Sequence, residues 1–350
     1  MKSRCFAICL TVMVFLMPLG VFAGSWSQIN QPILRPEGWQ PYVTESTFAL
    51  GDKAPFAEGS PLSLQQWGNY PSIDGSTVSV PLGMELARQH LAVPEGDLNG
   101  FVTFSTTHSA YERLILKKPN PNVSLASSQT VLDPTYPVDL ILVTAPSDEE
   151  QALAQEQGVE LVIKPFCYDA FVFLVNAENP VDSLSVDEIR QIYSGKLLDW
   201  GQVGGNVNTP IDAFQRPKNS GSQTAMEQLV MRGHPLIVAR SNYISSGMSE
   251  LVAQVGNYNN GQRAIGYSYL YYVTGLYKSG NVKVLSVDGI APTRENLSLE
   301  KYPFTVSYYA VYLKENEKAE RFVSWLLGEE GQRSVAQAGY IPIMSLQNSQ

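Results

Sequence analysis

The sequence predicts an α/β fold. From Pro71 onward, continuous apolar runs of strand length alternate with capped, amphipathic helical patterns, and that alternation marks the class. The chain has 350 residues, enough for two domains of ordinary size.

The strands come from two runs in particular. "DLILVTA" (Asp139–Ala145) and "AFVFLVN" (Ala170–Asn176) hold continuous apolar runs, Leu140–Val143 and Ala170–Val175, that give way to the polar Thr144 and Asn176, as strands covered on both faces do. The helices come from caps and periodicity. In "VDEIRQIYSG" (Val186–Gly195), Ser185 and Glu188 form a capping box, Ile189, Ile192 and Tyr193 make the apolar face, and Gly195 ends it. "AERFVSWLLGEEG" (Ala319–Gly331) reads as a further helix with Phe322, Trp325 and Leu326 on one side and Gly328 weakening its end.

Residues 1–23 are expected to be a secretory signal peptide. Lys2 and Arg4 precede an apolar run, Phe6–Leu19, and Val21-Phe22-Ala23 is a small-residue cleavage pattern before Gly24. The run is shorter than the roughly 20 residues of a membrane span. Removal of the leader leaves 327 residues and takes the net charge from −9 to −11, because Lys2 and Arg4 go with it. Cys167 is then the only cysteine, so no internal disulfide can form and stability rests on the core. The acidic balance excludes a nucleic-acid binder of the basic-patch kind. Residues 24–70, rich in Pro, Gly, Ser and Gln, read as an N-terminal extension without periodicity. The protein is expected to be periplasmic or secreted.

Three clusters of hydroxyls stand just before helices. "IDGSTVSVPLGMELA" (Ile73–Ala87) puts Ser76, Thr77 and Ser79 ahead of a helix with Pro81 in its first turn and Leu82 and Leu86 stacked. "STTHSAYERLI" (Ser105–Ile115) puts Thr106, Thr107 and Ser109 before Tyr111, Leu114 and Ile115, with Ser109 and Glu112 as a capping box. "FQRPKNSGSQTAMEQLV" (Phe214–Val230) gathers Arg216, Lys218, Ser220, Gly221 and Ser222 ahead of Ala225, Met226, Leu229 and Val230, with Ser220 and Gln223 as a third box. Taken singly, each cluster reads as an ordinary N-cap. Taken together, they fit a site for a tetrahedral oxyanion. The first N–H groups of a helix lack internal partners, the dipole there favours negative charge, hydroxyls donate without adding charge, and one guanidinium can grip two oxygens. Arg216 as a surface or interdomain salt bridge is the bland counterpart.

These residues carry a resemblance. "GSTVSVPL", "DAFVFLVNAENPVDSLSVDEIRQIYSGKLLDW", "FQRPKNSGSQTAM" and "AIGYSYLYYV" resemble the periplasmic phosphate-binding proteins of bacterial phosphate ABC transporters, within the type II periplasmic binding protein family. The likeness runs from about Pro71 to Pro342. It implies a two-lobed, Venus-flytrap receptor whose lobes, 71–170 with 303–345 and 171–302, are joined by two hinge crossings at Asp169–Asn176 and Tyr302–Leu313. It implies a ligand held by Thr77, Thr107, Arg216, Ser220, Gly221 and Ser222, with Ser76, Thr106, Thr144 and Lys218 as further candidates. The register leaves Thr106 and Thr107 as alternatives. The expected partners are inorganic phosphate or a related oxyanion and the membrane permease subunits of an ABC transporter. The protein is expected to act as a monomer, without cofactor, metal or nucleic acid.

Two positions depart from the family pattern. Where those proteins place an aspartate two residues after the arginine, this chain has Lys218, and where they place a second aspartate it has Thr144. A carboxylate acceptor favours protonated phosphate over proton-free sulfate, so its replacement puts that discrimination in question. Lys218 either adds charge to the site or points to water.

Two other classes compete. An enzyme would need a nucleophile with its base or a metal. The three histidines, His90, His108 and His234, are not at metal-ligand spacing, and "SGSQT" is not a nucleophile elbow. His108, beside the second cluster, is the one candidate base, and a cap or packing role is its plain alternative. The chain therefore reads as a binding protein and not an enzyme. An oxyanion sensor or adhesin-like receptor without a transporter is the other class. Cys167 reads as small apolar packing, and Tyr267, Tyr269, Tyr271 and Tyr272 as core aromatics with some access to the cleft.

Overall fold

The computed structural model describes residues 70–91, 98, 102, 104–119, 137–257, 261–277 and 281–343. The expected signal peptide, the extension up to residue 69, and residues 344 and 345 lie outside them.

Strand β1 (Ile73–Gly75) ends at the first hydroxyl cluster, and a 3-10 turn, Thr77–Ser79, leads into helix α1 (Val80–Leu91). Pro81 stands in its first turn, and Leu82 and Leu86 are fully buried. Helix α2 (Thr107–Ile115) starts inside the second cluster. Its cap is Thr106, whose side chain accepts the Ser109 N–H, so the expected Ser109–Glu112 box gives way to a cap three residues earlier. Thr106 is the extended residue there (φ −132°, ψ 164°), which places Ser109 inside the first turn. Strand β2 (Leu140–Val143) is buried throughout, as its unbroken apolar run requires. Helix α3 (Asp148–Glu156) opens with a reciprocal Ser147–Glu150 capping box. Strand β3 (Leu161–Asn176) takes in the second apolar run, and Ala170 to Val175 are fully buried.

Beyond it come β4 (Ser183–Leu184), α4 (Val186–Tyr193) and β5 (Asp212–Ala213). The Ser185–Glu188 box opens α4 as expected, with Ile189, Ile192 and Tyr193 buried. Helix α5 (Gly221–Ala225) passes into a π-helical turn, Met226–Met231. The wider turn swings the buried face onto Met226, Val230 and Met231, leaving Ala225 and Leu229 half-buried. Helix α6 (Met248–Gly256), β6 (Ala264–Tyr269), β7 (Val282–Val284), β8 (Ser286–Val287) and α7 (Arg294–Ser298) follow. The chain ends with β9 (Thr305–Leu313), α8 (Glu317–Leu326), α9 (Glu329–Gln337) and β10 (Ile341–Pro342). The single helix expected over Ala319–Gly331 is two. Gly328 is extended and heads α9, and Gly331 lies so close to the Leu326 backbone that a Cβ would overlap it.

The main sheet runs β1-β2-β9-β3-β6-β5, with β10 and β7 also on β3, and β4 and β8 form a separate pair. Strand β3 joins two halves. Over Leu161–Ala170 it pairs with β9, and over Phe171–Val175 it pairs with β6. The partner changes between Ala170 and Phe171, within the first expected crossing. The second crossing is shorter than Tyr302–Leu313, because β9 lies wholly beside β2 and β3 in the first half. The chain changes halves near Phe304, whose carbonyl accepts the Phe171 N–H at 2.9 Å.

Asp169 sits at that junction, 3 % exposed. Its carboxylate accepts the Ala170 N–H at 2.7 Å, the Tyr271 N–H at 3.1 Å and the Tyr308 hydroxyl. Burial nevertheless pushes its pKa up to about 6, against the pull of those donors. A carboxyl whose folded pKa exceeds its unfolded one stabilises the fold while protonated. That stability is lost as the pH rises through the window from about 4 to 6, and two pKa units correspond to about 3 kcal/mol. Urea titrations of wild type and Asp169→Asn are expected to show it: the difference in unfolding free energy shifts by about 3 kcal/mol between pH 4 and pH 7. Parallel pH profiles would contradict the assignment.

Candidate functional site

The site is built where the two halves meet. Strands β1 and β2 are parallel, so the residues after them, Ser76-Thr77 and Thr144, emerge at the same end of the sheet. In open α/β sheets ligands collect outside the carboxyl ends of strands. Thr107 joins them as the first residue of α2. The other half supplies the loop Arg216–Ser220 and the start of α5.

Three expected residues come into direct apposition. A Cβ added to Gly221 would overlap Thr144 Oγ1 and stand 2.7 Å from Thr107 Oγ1. Glycine is required here by the close approach of two hydroxyl-bearing elements from the other half. Ser220 caps α5 by accepting the Gln223 N–H at 3.3 Å, and its hydroxyl hydrogen stays free to donate. Gln223 does not complete the box. Its Oε1 turns instead to the Arg216 N–H, at 3.2 Å, and to the Tyr267 hydroxyl.

Arg216 is held from its backbone and from one end of its guanidinium. Its N–H donates to Tyr267 Oη at 2.9 Å, and Nη2 donates to the Ser246 carbonyl at 3.0 Å. Nε and Nη1 are buried and have no hydrogen-bond partner among the described residues. Burial lowers the guanidinium pKa, opposed by Tyr267, Tyr272 and Glu250, yet an arginine stays charged at any ordinary pH. Thr144 Oγ1 and Ser222 Oγ, next to Gly221 in space and in sequence respectively, are in the same condition, as is Ser268 Oγ within β6. Thr144 Oγ1 stands near the Tyr269 hydroxyl, which donates to the Gly221 carbonyl at 3.0 Å and whose oxygen can still accept. Buried polar groups left unpaired are costly, and the described residues gather four such atoms on three residues flanking one junction. All four can donate.

Other expected residues fall elsewhere. Ser76 is buried, its Oγ 3.5 Å from Ser79 Oγ within its own turn. Thr77 is exposed at the head of the 3-10 turn, and Thr106 is exposed and occupied as a cap. Thr107, 7 % exposed, is thus the member of the pair turned inward. Lys218 is not brought into the cleft. Its ammonium pairs with Glu149 of α3 at the surface. His108 faces α3 as well, with Nδ1 3.1 Å from Glu150 Oε1, and the other Glu150 oxygen accepts the Ser147 N–H. Burial raises the Glu150 pKa. Cys167 is buried in β3 opposite Pro342 and Tyr308, and burial drives its thiol pKa up.

Of the supporting residues, the sequence singles out only Tyr267 and Tyr269, as core aromatics with some access to the cleft, and gives neither its hydrogen-bonding role. Asp74, buried in β1, accepts from the Ser105 N–H at 2.9 Å, the Ser105 hydroxyl at 2.7 Å and Arg113 at 3.0 Å, which fixes the loop before Thr106 and Thr107. Tyr111 Oη donates to the Thr144 carbonyl at 3.0 Å. Tyr267 and Tyr269 brace the Arg216–Gly221 loop from behind with their hydroxyls, and burial raises both phenol pKa values. The alternation of "IGYSY" held the only signal for them: it places Tyr267 and Tyr269 on one face of a strand.

With this geometry in view, the comparisons with known proteins bear directly on the chain. A model of the PBP superfamily domain matches residues 117–330. The chain belongs to the PBP superfamily. It is 28 % identical over 175 residues to the phosphate-binding protein PstS of Bacillus subtilis, an alignment covering 49 % of this chain and 54 % of that one. The chain thus spans little more than half the length of this curated relative. Among solved structures, a substrate-binding protein from Clostridium perfringens with bound phosphate is 26 % identical, with a TM-score of 0.56 over 78 % of this chain and 98 % of that one. An ABC-type phosphate transport receptor from Vibrio cholerae shares the fold, with a TM-score of 0.53 and 20 % identity over 78 % of this chain and 99 % of that one. The superfamily's two-lobed α/β arrangement accounts for the split partners of β3 and for the two crossings at Phe171 and Phe304.

Proposed function

We propose that this protein captures inorganic phosphate, or a closely similar tetrahedral oxyanion, between its two lobes and delivers it to the permease subunits of an ABC transporter outside the cytoplasmic membrane. The observation that carries the proposal is Arg216, a buried guanidinium with two unpartnered nitrogens, on the loop that leads into Gly221, which itself faces Thr107 and Thr144. A tetrahedral dianion supplies acceptors for all of these donors at once, and each charge-assisted hydrogen bond contributes about 1.5–3 kcal/mol. The named phosphate binders among its relatives support the same ligand. The lobes are 71–170 with 303–345 and 171–302, and of the expected ligand residues we assign Thr107, Thr144, Arg216, Ser220, Gly221 and Ser222 to the site, with Ser76 and Thr77 beside it at the end of β1. No helix among the described residues is long and apolar enough to cross a membrane. A leader at residues 1–23 would carry the chain out of the cytoplasm.

Calorimetric titration of ligand-free protein with phosphate and then sulfate at neutral pH tests the proposal. Phosphate is expected to bind tightly. With a threonine at position 144 and Lys218 outside the cleft, sulfate is expected to compete within about tenfold, since no carboxylate repels it. The absence of heat with either anion would overturn the assignment.

A further inference from the structure

The first turn of α3 reaches across to the second half at the mouth of the cleft. Glu149 pairs through one oxygen with Lys218 Nζ and through the other with Asn219 Nδ2. Gln228, on the π-helical turn, donates to the Pro146 carbonyl and to Asp148 Oδ1, both at 3.3 Å. One short segment, residues 146–149, thus holds three side chains from the other half that lie 69 to 82 positions away in sequence. Asn219 is left-handed (φ 63°), a conformation asparagine tolerates and most residues resist, and its amide lies beside the Lys218 ammonium on the same carboxylate. None of these groups belongs to the cradle itself, and Lys218 and Glu149 are largely solvent-exposed.

We infer that Glu149, Lys218 and Asn219 form a latch that holds the two halves closed and so sets how fast the bound anion leaves. The latch acts as a set of positioning contacts. It exists only when the halves are together, so it slows opening, both for the bound anion to leave and for the ligand-free halves to admit one. Being exposed, it is weak and screened by salt, and each single deletion raises the dissociation rate by about two- to fivefold. Glu149 and Lys218 act on one contact, so removing both adds little to removing either. The kinetic part of this inference rests on the proposed anion capture, whereas the closure itself does not.

The test has two arms. Spin labels on Gln155→Cys and Val207→Cys, exposed positions in the two halves, report the distance between halves in protein without ligand. Glu149→Gln and Lys218→Ala are expected to lengthen that distance relative to the labelled wild type. In stopped flow with inorganic phosphate, both variants are expected to release the anion faster and to take it up no more slowly, and 1 M NaCl to bring wild type to the level of the variants. Unchanged distances overturn the latch whether or not phosphate binds. Additive rate effects, or slower association in place of faster release, overturn its role in ligand exit. A wild type that binds no phosphate overturns the proposed function and leaves the distance arm to decide the latch.

Discussion

Arg216→Met is expected to remove phosphate binding while leaving the fold as stable as wild type or more so. The guanidinium Nε and Nη1 are the strongest donors at the junction without a partner among the described residues. Two charge-assisted hydrogen bonds contribute about 3–6 kcal/mol together, so their loss weakens affinity by roughly a hundredfold to ten-thousandfold. The same two atoms are a burden to folding, because buried donors without partners forfeit their hydration. Methionine fills similar volume beside Tyr267 and Tyr272 and removes that burden. The Arg216 backbone N–H still reaches Tyr267 and Gln223, so the loop keeps its course. Calorimetry and thermal unfolding on one preparation check both halves of the expectation. Binding that survives in the variant would mean that the anion sits elsewhere. A clear fall in melting temperature would mean that Arg216 is a structural residue.

Gly221→Ala is expected to separate closure from folding. Alanine at the start of a helix is worth up to about 1 kcal/mol over glycine, and the backbone at Gly221 is not in the left-handed region, so the isolated half should gain. The added methyl, however, overlaps Thr144 Oγ1 and crowds Thr107 Oγ1 across the junction. Overpacking of this kind costs about 1–3 kcal/mol, which falls on the closed arrangement alone and weakens phosphate affinity by about fivefold to 150-fold. Small-angle scattering with saturating phosphate would show a larger radius of gyration than wild type. An unchanged dissociation constant would show that Gly221 does not face the two threonines in the bound state.

The sequence alone determined what local chemistry controls. The unbroken apolar runs at Leu140–Val143 and Ala170–Val175 are buried strands because no polar residue interrupts them. The Ser185–Glu188 box starts α4 because both partners lie within one turn. Two of the hydroxyl clusters stand at helix starts because Thr106 and Ser220 accept first-turn N–H groups, whereas Ser76 in the first caps none. Even there, local signals competed: Thr106 took the cap that Ser109 was expected to hold, and Gly328 divided a helix that periodicity ran through.

What remained depended on partners far apart in the chain. Nothing near Lys218 reveals that its ammonium goes to Glu149 and not to the cleft. The choice rests on the α3 first turn lying opposite it, 69 residues away in sequence. Nothing near Gly221 reveals Thr107 and Thr144 across from it. Asp74, Tyr111, Tyr267 and Tyr269 look like ordinary strand and helix residues until the sheet sets their polar atoms behind the cradle. Helix starts are encoded within four residues, so the sequence carries them. The meeting of two of those starts, at Thr107 and Gly221, is a property of two halves folded around β3, and only the tertiary structure decides it.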